Sequence, residues 1–191
     1  MPRNLAVLAA GVLALTGCAL DATEEQGDYV TETVVVFGAD GRETVHIREM
    51  TRDEAAQEFA TRQLYQESAP AGGEVHAGLA KDSTCAYTSL WLYDEQLHGG
   101  NRICFSGAAG LDVRRVNLSS YCRRKINTFC VGTWSEAVRS YWGGDFEGYF
   151  FAENLPQGSY RFSSFTPGQL QFTVDYIVEA ATHVNVGPLI E

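Results

Sequence analysis

An internal repeat constrains the fold of this 191-residue chain more than any other feature of its sequence. Residues 90–100 align without gaps with residues 148–158, and each copy begins with aromatic residues and ends on glycine. The identities are Glu95 with Glu153, Leu97 with Leu155, and Gly100 with Gly158. Returning strands are predicted after both copies, at 101–106 and 159–164. Each copy therefore predicts a strand, a folded hairpin, a returning strand, a longer excursion and a final strand, which is typical of a Greek key.

Each folded hairpin has an aromatic residue followed seven positions later by a glycine. These stretches are Tyr93…His98…Gly100 and Phe151…Pro156…Gly158. A sharp turn favours glycine because glycine tolerates a positive φ. The pattern resembles the βγ-crystallin hairpin signature, which has a second aromatic residue where this chain has His98 and Pro156. The run 134–140 also resembles the Trp-Asn-Asp-x-x-Ser-Ser run of bacterial crystallin-like proteins. The resemblance covers about residues 85–187 and implies a mainly β, two-Greek-key βγ-crystallin-like sandwich.

The same resemblance implies where calcium would bind, in a box of oxygen ligands at 135–140 and again at 178–183. Calcium takes about six to eight oxygen ligands. The first box keeps Glu136 and Ser140, but it has the cation Arg139 where a hydroxyl ligand is needed. The second box keeps only Glu179 and Thr182 as ligands. We therefore expect no metal site and no cofactor, with weak calcium binding as an alternative.

Cysteine usage predicts two disulfides. Apart from Cys18, the chain contains an even set of cysteines: Cys85, Cys104, Cys122 and Cys130. An even set in an exported chain favours disulfides, although more than one pairing is possible. The short spacing favours Cys122 with Cys130, which leaves Cys85 with Cys104. A zinc site is the competing interpretation, but the chain has no Cys-x-x-Cys and its histidines are scattered.

The first 28 residues predict an anchor. Residues 1–17 have a basic start and an apolar stretch that is too short to span a membrane, which is typical of a signal peptide. The run Leu15-Thr16-Gly17-Cys18 resembles the bacterial lipobox, whose cysteine is lipidated. The resemblance implies that Cys18 carries acyl chains and holds the protein in the bilayer. Residues 19–28 are acidic and small, and they form the predicted tether. We therefore expect a cell-envelope location, in the outer membrane if the source is Gram-negative.

A small hairpin-helix module is predicted at 29–66, ahead of the sandwich. Strands are expected at 29–37 and 44–48, joined by the turn signal Ala39-Asp40-Gly41. Thr51 and Glu54 form a capping box that opens a helix to about Gln66, with Ala56, Phe59 and Ala60 on its apolar face. Residues 67–84 are rich in glycine and proline and are predicted to be a linker. Alternation over 170–178 predicts one further strand.

No catalytic constellation is found in the sequence, so we expect no enzyme activity. The histidines His46, His76, His98 and His183 are isolated and are expected on the surface or in turns. Asp94-Glu95 and Asp145…Glu147 have the residue types of paired glycosidase carboxylates, but acidic pairs in an acidic chain are usually solvated.

The function we predict is that of a non-enzymatic envelope lipoprotein with a structural or binding module. Its expected partners are the bilayer, through Cys18, and an unknown envelope protein or glycan. The net charge of -10 argues against nucleic acid. One alternative is a protease inhibitor of crystallin-like fold, with loop 122–130 and its basic residues Arg123, Arg124 and Lys125 as the inhibitory element. Another is a glycan-binding module that uses an exposed Trp91 or Trp142.

Overall fold

The computed structural model describes residues 29–38, 42–68, 85, 89–107, 114–126, 128–153 and 161–186. This part of the chain is mainly β, with its strands arranged in three sheets and with few helical residues. The strands are β1 (Tyr29–Phe37), β2 (Glu43–Thr51), β3 (Leu90–Tyr93), β4 (Arg102–Gly107), β5 (Arg114–Asn117), β6 (Lys125–Ile126), β7 (Phe129–Cys130), β8 (Ser140–Trp142), β9 (Gly148–Ala152), β10 (Arg161–Phe165), β11 (Leu170–Gln171) and β12 (His183–Val186). The helices are α1 (Arg52–Ser68) and α2 (Tyr176–Glu179).

The predicted hairpin and helix are both present. Strands β1 and β2 pair in antiparallel register from Tyr29 opposite Thr51 to Phe37 opposite Glu43. The capping box is reciprocal, because the Thr51 amide donates to the Glu54 carboxylate at 2.8 Å and the Glu54 amide donates to the Thr51 hydroxyl at 3.2 Å. These bonds satisfy amides that the first turn of a helix leaves unpaired. Local sequence chemistry therefore accounts for where α1 begins.

The hairpin β1–β2 is continuous with the larger sheet rather than an isolated two-stranded unit. Strand β1 pairs in parallel with β4, so the larger sheet has the order β11-β8-β3-β4-β1-β2. Because β1 lies inside this sheet, both of its faces are covered, and residues 30–35 are all buried. The hairpin gains from the sheet the burial that an isolated two-stranded unit lacks.

The two sequence repeats exchange strands. The smaller sheet has the order β10-β9-β12-β5, in which β5 comes from the first repeat and the other strands from the second. In return, β11 of the second repeat pairs with β8 at the edge of the larger sheet. Each repeat therefore completes the sheet of the other, and neither can form its full sheet alone.

The larger sheet is buried on both faces. One face packs against the smaller sheet around a cluster that includes Leu92, Phe105 and Phe150. The opposite face carries Trp91 and Trp142, which pack with Phe59 of α1. Cys85 joins Cys104 on this second face, with their Cα atoms 6.2 Å apart, as the spacing predicted. Helix α1 and this cysteine pair therefore cover what would otherwise be an exposed aromatic surface.

Of the apolar face expected on α1, Phe59 packs on the sheet as predicted, but the two alanines do not. Ala56 and Ala60 are exposed, whereas Ala55, Glu58 and Phe59 are partly buried. Glu58 bonds to arginines on the sheet, and Phe59 stacks on His98 with ring centroids 4.7 Å apart. Ion pairs and one aromatic residue, rather than an alanine stripe, therefore hold the described part of the helix in place.

A row of charges crosses three strands beneath α1. Glu32 of β1 lies in register between Arg48 of β2 and Arg102 of β4. Its two carboxylate oxygens each accept a 2.6 Å bond, one from each guanidinium. The Glu32 side chain is fully buried and that of Arg102 is 2% exposed. Glu58 of α1 contacts both arginines, which balances the charge of the cluster.

The strand predicted over 170–178 is wrong beyond Gln171. Strand β11 ends there, and the chain then bends into α2. The reason is Asp175, whose carboxylate accepts bonds from the amides of Ile177 (2.9 Å) and Val178 (3.0 Å). An N-cap of this kind starts a helical turn and overrides the alternation of apolar residues.

We predict that Glu32→Gln destabilises the fold by about 3 kcal/mol, because it removes the buried carboxylate between Arg48 and Arg102 and leaves both guanidiniums to share Glu58. Urea unfolding followed by circular dichroism measures this. Glu49→Gln is the matched control, since Glu49 is an exposed glutamate on the adjacent strand β2. Equal losses in the two variants would contradict a central role for the charge row.

Candidate functional site

A disulfide-stapled hairpin is the most distinctive surface element in the described part of the chain. Strands β6 and β7 form a separate two-stranded sheet, with Lys125 opposite Cys130. Cys122 joins Cys130 with Cα atoms 5.6 Å apart, which agrees with the predicted pairing. An isolated antiparallel β-bridge between their backbones also pairs Cys122 with Thr133. We call residues 122–133 the stapled hairpin; its residue Asn127 lies outside the described residues.

Backbone bonds fix the stapled hairpin on the sandwich. The Arg123 amide donates to the Gly132 carbonyl at 3.0 Å, and the Val131 amide donates to the Arg124 carbonyl at 2.8 Å. At its base, the Thr33 hydroxyl of β1 donates to the Cys122 carbonyl at 3.4 Å. The element is therefore cross-linked along its length and held against β1 of the larger sheet.

The stapled hairpin exposes apolar side chains more than basic ones, which modifies the sequence-based hypothesis. Arg123, Arg124 and Lys125 are only partly exposed. In contrast, Phe129 is 75% exposed and Val131 is 45% exposed. A large aromatic ring on a rigid exposed hairpin is typical of an interaction element, since little conformational entropy is lost when it binds. The sequence analysis singled out this loop as a contact element, but it did not predict that apolar side chains are the ones most exposed.

Arg123 links the stapled hairpin to the folded hairpin of the first repeat. Its Nε lies 3.7 Å from Asp94 Oδ2, and the Asn101 amide donates to the same oxygen at 2.8 Å. Burial raises the pKa of Asp94, while the bond from Asn101 and the charge of Arg123 oppose that shift. Gly100, at φ 72°, lies against this carboxylate, and a Cβ atom there would collide with it. The glycine predicted from the repeat is thus required by both conformation and space.

The two acidic residues of the pair Asp94-Glu95 bond to different partners. Glu95 bonds bidentately to Arg52 at 2.8 and 2.9 Å, and this bonding lowers the pKa of Glu95. Asp94 instead turns inward to Asn101. Asp145 and Glu147 are both exposed.

His98 occupies the folded hairpin in a way that the sequence did not predict. Its ring packs against Phe59, Tyr93 and Phe172, with centroid distances of 4.7 to 4.9 Å. Its Nε2 lies 3.2 Å from the Tyr141 carbonyl. Burial lowers the pKa of His98 to about 4, so the ring is neutral at pH 7. His98 therefore lies in a turn, as one of the two expectations had it, but its ring is buried rather than on the surface.

Arg139 belongs to the first of the two calcium boxes implied by the resemblance, and its guanidinium also reaches the second. One of its Nη atoms is 3.4 Å from the Glu136 carbonyl and 3.1 Å from the Val138 carbonyl, and the other is 3.2 Å from the Glu179 carboxylate. Ser140 is buried, and its hydroxyl donates to the Glu95 carbonyl at 2.7 Å. The guanidinium of Arg139 thus contacts oxygens of both boxes, and the Ser140 hydroxyl is bonded to the folded hairpin. Thr182 bonds to the Phe151 carbonyl at 3.2 Å. No group of metal-ligating side chains occurs among the residues that the structure describes.

The tryptophans proposed for glycan stacking are buried, so that hypothesis is wrong as stated. Trp91 is fully buried and Trp142 is 1% exposed, both beneath α1. Of the other histidines that the structure describes, His46 is exposed, and His183 lies 3.8 Å from Glu153. His76, Cys18 and the tether 19–28 lie outside the described residues, as do residues 69–84 of the linker predicted at 67–84. Residues 67 and 68 belong to α1.

Comparison with protein-family models, with curated proteins and with solved structures finds no match to this chain. Within the ranges given above, no helix is both long and apolar enough to cross a membrane.

We predict a pH-dependent stability that originates at His98. The folded pKa of about 4 lies below the ordinary value of 6.5, so the unfolded chain takes up a proton first as the pH falls. The contribution of His98 to stability is thus complete above 6.5 and is lost progressively towards 4. His98→Phe should reduce the dependence of stability on pH over this range, although the loss of the bond to Tyr141 lowers stability at every pH. Thermal melts across this range test the difference, and equal slopes would contradict the burial of a neutral imidazole.

Proposed function

We propose that this chain is a non-enzymatic cell-envelope lipoprotein whose sandwich is a binding module, with the stapled hairpin as its contact element. The observation that carries the proposal is the exposure of Phe129 and Val131 on a disulfide-fixed hairpin. The expected partner is an envelope component, and the acidic chain argues against nucleic acid.

We also propose that residues 85–187 form a two-Greek-key βγ-crystallin-like sandwich. The exchange of β5 and β11 between the repeats supports this, because each sheet then contains three strands of one repeat and one of the other. The aligned segments 90–100 and 148–158 both start at the equivalent strand, β3 or β9. The hairpin β1–β2 is then an addition to one edge of this sandwich.

The anchor in this proposal is lipidated Cys18. The lipobox-like run 15–18 supports it, and the tether places the described fold within reach of the bilayer. Several acyl chains would hold the protein stably, because each buried CH₂ contributes about 0.8 kcal/mol. The expected location is the outer membrane if the source is Gram-negative.

Protease inhibition is the second candidate function. A specific feature favours it: the segment 128–133 is exposed or partly exposed and is held by Cys122–Cys130 together with the bonds to Arg123 and Arg124. Such rigidity lowers the entropic cost of binding in an enzyme cleft. The identity of the partner distinguishes this candidate from the first.

A photoreactive phenylalanine at position 129 of the full chain, activated in intact cells, tests the proposal. We expect a discrete adduct with one envelope component, and a protease in that adduct would favour the second candidate. The matched control is position 162, because Phe162 is 56% exposed but lies on the smaller sheet. The same adducts from both positions, or none from 129, would contradict a contact role for the stapled hairpin.

A further inference from the structure

We propose that one end of the sandwich, including the stapled hairpin, docks on the surface of the lipid bilayer. This inference rests on the proposed anchor at Cys18 and names the partner of the contact element. The hairpin end is defined as the end of the sheets that carries the turn 94–101, with Tyr29, Leu97, Phe129, Val131 and Phe172 as its apolar surface.

Two hydrogen bonds and one ion pair connect the segments that carry these side chains. The Leu97 amide donates to the Phe172 carbonyl at 2.9 Å, which joins the turn to the segment after β11. The Thr31 amide donates to Asn101 Oδ1 at 2.8 Å, so the start of β1, and with it Tyr29, lies beside the same turn. Arg123 reaches Asp94 at 3.7 Å and connects the stapled hairpin to it.

This end presents apolar side chains to solvent. Leu97 is 71% exposed, and Tyr29, Phe129, Val131 and Phe172 are also exposed. Leu97 holds φ at 57°, a conformation that non-glycine residues rarely adopt. The next residue, His98, also has a positive φ, of 60°. The strained backbone of these two residues thus packs the His98 ring inside and leaves the Leu97 side chain exposed to solvent.

The path of the chain orients this end towards the membrane. Residues 19–28 separate Cys18 from Tyr29, and ten residues extend to at most about 35 Å. The described fold begins at Tyr29, which belongs to the hairpin end itself. An anchor at Cys18 therefore attaches the fold at this end and keeps Tyr29 within about 35 Å of the lipid.

The charges of the stapled hairpin fit a lipid interface better than those of the whole chain. The chain carries a net charge of -10, which opposes binding to anionic lipid. The stapled hairpin, however, has Arg123, Arg124 and Lys125 beside its exposed ring, and it is locally basic. Aromatic and aliphatic side chains flanked by basic residues are typical of elements that lie at the headgroup boundary.

The experiment uses the full chain with Cys18→Ser, so that no acyl chain contributes, and a reporter introduced by Phe129→Trp. The existing Trp91, Trp134 and Trp142 are at most 1% exposed, so their emission should change little. The probe is vesicles of phosphatidylcholine and phosphatidylglycerol with brominated acyl chains. We expect a blue shift and quenching at 129, and about tenfold weaker partitioning when Leu97→Ser is added.

Phe162→Trp in the same background is the matched control and should show no quenching. Absence of quenching at 129, or equal quenching at 129 and 162, would overturn the docking proposal. Labelling of the unsubstituted chain with a palmitate analogue tests the anchor separately. Labelling that needs Cys18, without quenching at 129, would refute docking alone, whereas quenching without labelling would refute the anchor and leave the lipid-binding end in place.

Discussion

The buried carboxylate of Glu32 is the constraint on which the rest of the structure depends. An ionised carboxylate away from water is costly unless cations and hydrogen bonds surround it. Glu32 meets this requirement only when β2 supplies Arg48 on one side and β4 supplies Arg102 on the other. Its charge therefore favours the arrangement in which β1 lies between these strands in this register, because a slip by one residue would turn it to the opposite face.

The same charges position α1. Two arginines around one glutamate leave an excess positive charge, and Glu58 of α1 balances it from above the sheet. Helix α1 then lies over Trp91 and Trp142, and its Phe59 contacts His98 in the folded hairpin. Helix α1, which precedes the repeats in the chain, thus helps to hold the turn 94–101, and this turn is part of the proposed contact surface.

Features set by neighbouring residues could be predicted from the sequence. The hairpin β1–β2, the start of α1 at its capping box and the stapling of Cys122 to Cys130 all follow from short-range patterns. The parallel pairing of β1 with β4 could not be predicted, because it joins segments separated by the linker. The strand expected over 170–178 failed because one residue, Asp175, caps a helical turn. The burial of Trp91 and His98 depends on α1, and no local pattern shows which sheet a helix covers.

Native-state hydrogen exchange of the full chain with Cys18→Ser tests most directly whether the charge row makes the hairpin and the repeats one cooperative unit. We predict that the amides of β1 exchange only through global unfolding, with the same free energy of opening as the amides of β3 and β4. A contradicting result would be that the amides of β1, β2 and α1 exchange together with a lower free energy of opening, while those of β3 and β4 stay protected. The hairpin and helix would then be an independent module.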